Sequence, residues 1–126
     1  MNKTYERIKE AKALGLKLSE AHFSPAQVAV CNAIRKEARM IMGMHENALC
    51  DDGDFATEVP TADTLAHELY RAIILGEFEN EECYFILAEH KHARFFTKEF
   101  LDGVCQWYAE KAVEQFDDYG RKYKTY

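Results

Sequence analysis

No stretch of this 126-residue sequence carries a familiar catalytic motif. There is no glycine-rich phosphate loop, no His-Glu-x-x-His and no Gly-x-Ser-x-Gly. No enzymatic activity is therefore assigned from a motif. No apolar run approaches the roughly 18 residues of a spanning helix. Charged residues are 30% of the chain, which argues against a membrane protein. Met1-Asn2-Lys3-Thr4-Tyr5-Glu6-Arg7 has no apolar signal-peptide region, so the expected location is the cytoplasm. Repeats and low-complexity segments are absent. The cysteines, Cys31, Cys50, Cys83 and Cys105, include no Cys-x-x-Cys pair. They are expected to be reduced, buried and apolar in role.

What the sequence does have is material for one core. Hydrophobic residues are 48% and aromatics 13%, enough without disulfide staples. The length suits one domain, residues 1–126. The net charge of −6 argues against non-specific binding to nucleic acid. Acidic residues cluster at Asp51-Asp52-Gly53-Asp54 and at Glu77, Glu79, Glu81 and Glu82. The ordinary reading of such clusters is a solvated loop; the sharper one is a patch that meets a basic partner.

Phe23 to Leu49 is the stretch that organises the rest. Ser24-Pro25-Ala26-Gln27 is a capping box with proline at the first helical position, and Phe23 with Val28 fits a hydrophobic staple. Gln27, Val30, Cys31, Ile34, Ala38, Ile41, His45, Ala48 and Leu49 share one face. A helix over 25–49 is roughly 37 Å long.

Around it, residues 5–14 read as a short helix capped by Thr4 and closed by Gly15, with Leu16 packing back. Its apolar spacing is poor, so residues 1–22 are expected to form a loosely attached arm. Leu18–His22 reads as one helical turn. Together with the Ser-Pro start it looks like helix-turn-helix punctuation, but the first helix is too short and the second too long. Residues 50–60 read as a loop without the spacing of a calcium site. Residues 62–76 read as a helix capped by Thr61, with His67 solvated opposite its apolar face. Residues 81–95, capped by Asn80, fit a helix, though Cys83–Leu87 also fits a strand. Residues 98–119, capped by Thr97, read as a second long helix, and 120–126 as a frayed tail.

That last helix has two apolar stripes. Leu101, Cys105, Tyr108, Ala112 and Phe116 form the longer, expected to face the core. Phe100, Val104 and Trp107 form a second, nearly opposite. It is expected to be a partner contact surface unless residues 5–22 fold over it.

Candidate chemistry is sparse. His45, His67, His90 and His92 with Cys50 and Cys83 match no zinc spacing, so no metal is assigned. His45 is expected to be a hydrogen-bonded core histidine. Cys-His catalysis needs a third orienting group, and none is identifiable. Glu79-Asn80-Glu81-Glu82 is followed by Glu99-Phe100-Leu101-Asp102. Two acidic pairs on consecutive helices can gather carboxylates around Mg²⁺ and a nucleotide's phosphates. The stretch Lys98–Val104 resembles the second acidic motif of the all-α nucleoside triphosphate pyrophosphohydrolases of the MazG type. The resemblance implies a helical fold, hydrolysis to monophosphate and pyrophosphate, and Mg²⁺ held by Glu79, Glu82, Glu99 and Asp102. It covers about a third of the chain. The first pair falls at a helix start, not within a helix as in that family; were Glu68 used instead, Arg71 would stand at its partner position.

The expectation is thus an all-α single-domain bundle of about five helices, two of them long. The expected function is that of a small acidic, non-enzymatic regulator or inhibitor of a larger protein, with no cofactor. Phe100, Val104, Trp107, Glu77, Glu79, Glu81 and Glu82 are its expected contacts, and a homodimer is an alternative use of the same face. A small bacteriophage or bacterial accessory protein would fit. The pyrophosphohydrolase is the runner-up, and a nucleic-acid binder working through its basic ends comes third.

Overall fold

The computed structural model describes the backbone of residues 2–51 and 60–123, and the side chains of residues 2–45 and 60–115. It is an all-α bundle of five helices with no strand among the described residues. They are α1 (Lys3–Ala13), α2 (Pro25–Asp51), α3 (Ala62–Leu75), α4 (Glu81–His90) and α5 (Lys98–Tyr123). A 3₁₀ turn, Leu18–Glu20, links α1 to α2. Expectations resting on Asp52, Gly53, Asp54 and residues 124–126, and on the side chains of Ala48, Leu49, Cys50 and Phe116, lie outside the described residues.

The helix ends follow local chemistry. At the start of α2 the Ser24 N–H donates to Gln27 Oε1 at 2.9 Å, and the Gln27 N–H donates to Ser24 Oγ at 3.1 Å. Both arms of the capping box are therefore made. Thr61 and Thr97 accept from the N–H groups of Thr64 and Phe100. Gly15 and Gly76 close α1 and α3 in the left-handed region, at φ of 71° and 69°, where a side chain would be strained. The Leu16 N–H reaches back to Ala11 and the Gly15 N–H to Lys12, the two bonds of a Schellman ending. Several boundaries differ from the sequence reading, and α2 runs on to Asp51 instead of ending at 49. α1 begins at Lys3, because Asn2 and not Thr4 accepts the capping N–H, from Tyr5 at 3.0 Å. α4 stops at His90 instead of 95. α5 continues to Tyr123.

α2 and α5 form the centre. α2 packs against α3, α4, α5 and the 3₁₀ turn, and α5 against α1, α2 and α3. Val30, Cys31, Ile34, Ala38 and Ile41 of α2 are buried, as their periodicity predicts. They meet Leu65 and Leu69 of α3, Cys83 and Leu87 of α4, and the buried positions of α5 in one core. Fully burying one such aliphatic side chain stabilises the fold by about 1.5–3 kcal/mol.

The amino-terminal segment is not a loose arm. Thr4, Ile8 and Ala11 make a narrow buried stripe of small and medium side chains. α1 also lies very close to α5. A Cβ on Gly103 would run into the Asn2 side chain and stand 2.8 Å from the Tyr5 nitrogen. Asn2 Nδ2 donates to the Glu99 carbonyl at 2.7 Å, and the Tyr5 hydroxyl donates to Glu110 at 2.6 Å. The far end is held by Arg7, which donates to the His22 carbonyl and lies over the Phe23 ring.

Candidate functional site

The second stripe of α5 is where sequence and structure part. Phe100, Val104 and Trp107 are all buried, Trp107 at only 7% exposure. The Tyr5 ring meets the Trp107 ring edge-on at 5.7 Å, and Phe95 meets Phe100 edge-on at 5.2 Å. These residues are core, and as a stripe they offer no protein-docking surface. The face is apolar because α1 covers it, and the segment linking α4 to α5 adds Phe95.

Exposed apolar surface lies instead at the corner between α3 and α4. Ile74 is 59% exposed, Leu75 52%, Tyr84 45% and Phe85 61%. The rings of Phe78, Tyr84 and Phe85 form an edge-to-face chain, with centroids 6.3 and 5.5 Å apart. Gly76 leaves room for Tyr84, whose ring edge would be 3.6 Å from a Cβ there. A shallow hollow of about 370 Å³ opens among Ile74, Leu75, Phe78, Tyr84 and Lys91.

The acidic residues frame this corner. Glu77 and Glu79 are exposed in the connection before α4, and Glu81 and Glu82 are exposed in its first turn. There they also complement the positive helix start. Asn80 caps α4 by accepting from the Glu82 N–H. The connection is fixed from below by Glu37 of α2, whose side chain is almost wholly buried. Its carboxylate accepts the N–H of Glu79 at 2.7 Å and of Asn80 at 3.1 Å. Lys36 lies 3.9 Å from Glu82, a wet and weak pair.

The two acidic pairs of the Mg²⁺ reading engage different partners. Glu79 binds through its backbone to Glu37, Glu82 faces Lys36, and Asp102 pairs with Lys98 within α5. Among the described residues no group of three or more His, Cys, Asp or Glu is placed to hold a metal ion. A second cavity, about 580 Å³, has Glu37, His45, Glu68, Arg71, Glu77 and Glu79 among its lining. Two of its carboxylates already have partners. His45 Nε2 sits 3.0 Å from Glu68, and Glu37 holds the connection. His45 is thus half-buried and paired, while His67 is exposed.

The described cysteine thiols are poorly set for nucleophilic work. Cys31, Cys83 and Cys105 are free and buried. Burial pushes Cys31 up to about 12 and Cys83 to about 11, and it raises Cys105 as well. Such thiols stay protonated near neutrality. Cys83 instead donates through Sγ to the Ala33 carbonyl at 3.0 Å.

Comparisons with protein-family models, curated proteins and solved structures find no match to this chain. Among the described residues no helix is long and apolar enough to cross a membrane. Sequence reasoning missed Ile74, Leu75 and Glu37. The aliphatic pair directly before Gly76 was the available signal, since residues in the last turn of a helix lie at its rim. Glu37 gave none, because its partners lie in another element.

Proposed function

We propose that this protein is a non-enzymatic binding protein whose docking face is the α3–α4 corner, and that its partner is a protein with an apolar surface edged by basic residues. The observation that carries this reading is the exposure of Ile74, Leu75, Tyr84 and Phe85 side by side, framed by Glu77, Glu79, Glu81 and Glu82. Single exposed apolar residues are ordinary, but a contiguous group with aromatic members and a polar rim is the composition of an interface. Aromatic anchors supply much of the binding energy at such surfaces. The Glu37 strap presets the connection in one shape, which lowers the ordering cost of docking. The acidic frame favours a basic partner over a second copy. A two-fold contact would bring each patch near its own kind and set carboxylates against carboxylates. Glu77, Glu79, Glu81 and Glu82 keep the contact role proposed for them, and the apolar anchor moves from α5 to this corner. Regulation or inhibition of the bound partner is the biological role that suits such a protein.

The test uses Ile74→Ser/Phe85→Ser and Glu81→Lys/Glu82→Lys. All four positions are exposed, so the apolar changes should alter stability by no more than about 0.5 kcal/mol, and the charge reversals in the first turn of α4 by about 1 kcal/mol each. Partners cross-linked to the wild-type chain in native host extract are purified and titrated. The apolar double variant should bind at least roughly tenfold more weakly. The charge-reversal variant should slow association most strongly at low salt. Equal affinity for wild type and both variants contradicts the proposal.

A further inference from the structure

The surface groove where α1, α2 and α5 meet has the opposite character. It encloses about 500 Å³. Lys9 and Lys12 approach it from α1, Arg35 and Arg39 from α2, and Lys111 from α5. Among the described residues no carboxylate is in its lining, in a chain whose net charge is −6. Trp107, Tyr108, Ala13 and Ala112 form its apolar wall. We propose that this groove binds a small organic phosphate of nucleotide size.

Like charges at three and four residues' spacing repel, as Lys9 with Lys12 and Arg35 with Arg39 do here. Packing α1 and α2 each against α5 adds repulsion between helices. Among the described residues no ion pair engages Lys9, Lys12, Arg35 or Arg39; Lys111 pairs with Glu114 at 3.1 Å and lies 4.5 Å over the Trp107 ring. A second observation points the same way. Arg35 Nε is shut off from solvent and has no hydrogen-bond partner among the described residues. A desolvated guanidinium donor without an acceptor is costly, and a turn of the Arg35 side chain toward the groove would let a bound oxyanion relieve it. Arginine forks fit phosphate oxygens in pairs, and the lysines add charge around them.

The dimensions set the rest of the ligand. Small-molecule sites commonly occupy about 300–1,000 Å³ and combine apolar walls with a few placed polar groups. A bare phosphate would leave the Trp107, Tyr108 and Ala112 side empty. A ligand with an apolar or flat ring portion beside its phosphates would use both halves. The site is a concavity and not a stripe, so it suits a small molecule better than a nucleic-acid backbone.

The chain's single tryptophan lines the groove, so its fluorescence reports occupancy. The probes are ADP, inorganic pyrophosphate, adenosine and heparin, with equilibrium dialysis of labelled ADP as a readout independent of Trp107. ADP should bind saturably, pyrophosphate should compete with it, and adenosine should bind at least roughly tenfold more weakly than ADP. Lys12→Glu and Arg39→Glu, both at exposed positions, should each weaken ADP binding roughly tenfold while leaving the melting temperature near that of wild type. Arg35→Leu should also lose binding, with Lys12→Glu standing in if that variant misfolds. No saturable binding of ADP by dialysis overturns the proposal. So does binding that charge reversal leaves unchanged, or binding of heparin alone.

Discussion

Glu37 grips Glu79, 42 residues further along the chain, through a 2.7 Å hydrogen bond from the Glu79 backbone to the Glu37 carboxylate. The neighbouring Asn80 N–H donates to the other oxygen at 3.1 Å. One buried side chain thus satisfies two backbone donors at the entrance to α4 and sets the shape of the proposed docking corner. Glu37→Leu would leave both donors without an acceptor, at about 1–3 kcal/mol for each that stays buried. Denaturant melts should show that loss, and amide exchange should quicken at Glu79 and Asn80. Protection at those two amides equal to wild type would contradict the strap.

The close approach of Asn2 to Gly103 makes a second prediction. Gly103→Val should push α1 away from α5, because a side chain there meets Asn2 and the Tyr5 backbone. Trp107→Ala should cost about 3–5 kcal/mol, as large-to-small changes in a core do. Thermal and urea melts check both. A Trp107→Ala protein as stable as wild type would mean that α1 does not cover this face.

Much of this architecture was legible in the sequence. The Ser24–Gln27 box, the Thr61 and Thr97 caps and the glycine endings are local, and each is decided within a few residues. The stripe from Val30 to Ile41 is also local, and it marked α2 as core. At Phe100, Val104 and Trp107 the expected contact surface gave way to the stated alternative, that residues 5–22 fold over the face. The stripe's spacing showed an apolar face and could not show that α1 covers it, since the close approach depends on Gly103 and Asn2, far apart in the chain. The basic groove was hidden for the same reason. Its cations come from three helices, and in sequence they read as ordinary solvated charges. Lys9 and Lys12 belong to the basic amino-terminal end of the chain.

Alkaline stability follows from groups that hold their protons more tightly when folded. Burial raises Cys31 from 9.0 to about 12 and Cys83 from 9.0 to about 11. The hydrogen bond to Glu110, then burial, raises Tyr5 from 10.0 to about 12, and burial does the same for Tyr108. A raised folded value means the stabilisation is complete below the unfolded value and is lost as pH rises toward the folded one. Stability should therefore be level up to about pH 9 and fall progressively toward about pH 12. Urea midpoints across that range check it. A flat profile to about pH 11 would contradict the burial of these groups.

The acidic pairs make a further prediction. Asp102 is paired with Lys98, and the carboxylates of the two pairs engage separate partners. Incubation with nucleoside triphosphates and Mg²⁺ should release no pyrophosphate above background. Turnover that disappears in Asp102→Ala would instead support a pyrophosphohydrolase.

The docking corner is tested most directly by site-specific photocross-linking. A photoreactive phenylalanine analogue is placed at Phe85, in the proposed face, and separately at Leu14, which is 66% exposed at the C-cap of α1, outside it. Both proteins are irradiated in native host extract. Position 85 should yield a discrete adduct with one protein, and that protein, once purified, should bind wild type and fail to bind Ile74→Ser/Phe85→Ser. Adducts from position 14 and not from 85, equal labelling from both, or no adduct from either would contradict the assignment of the α3–α4 corner as the binding face.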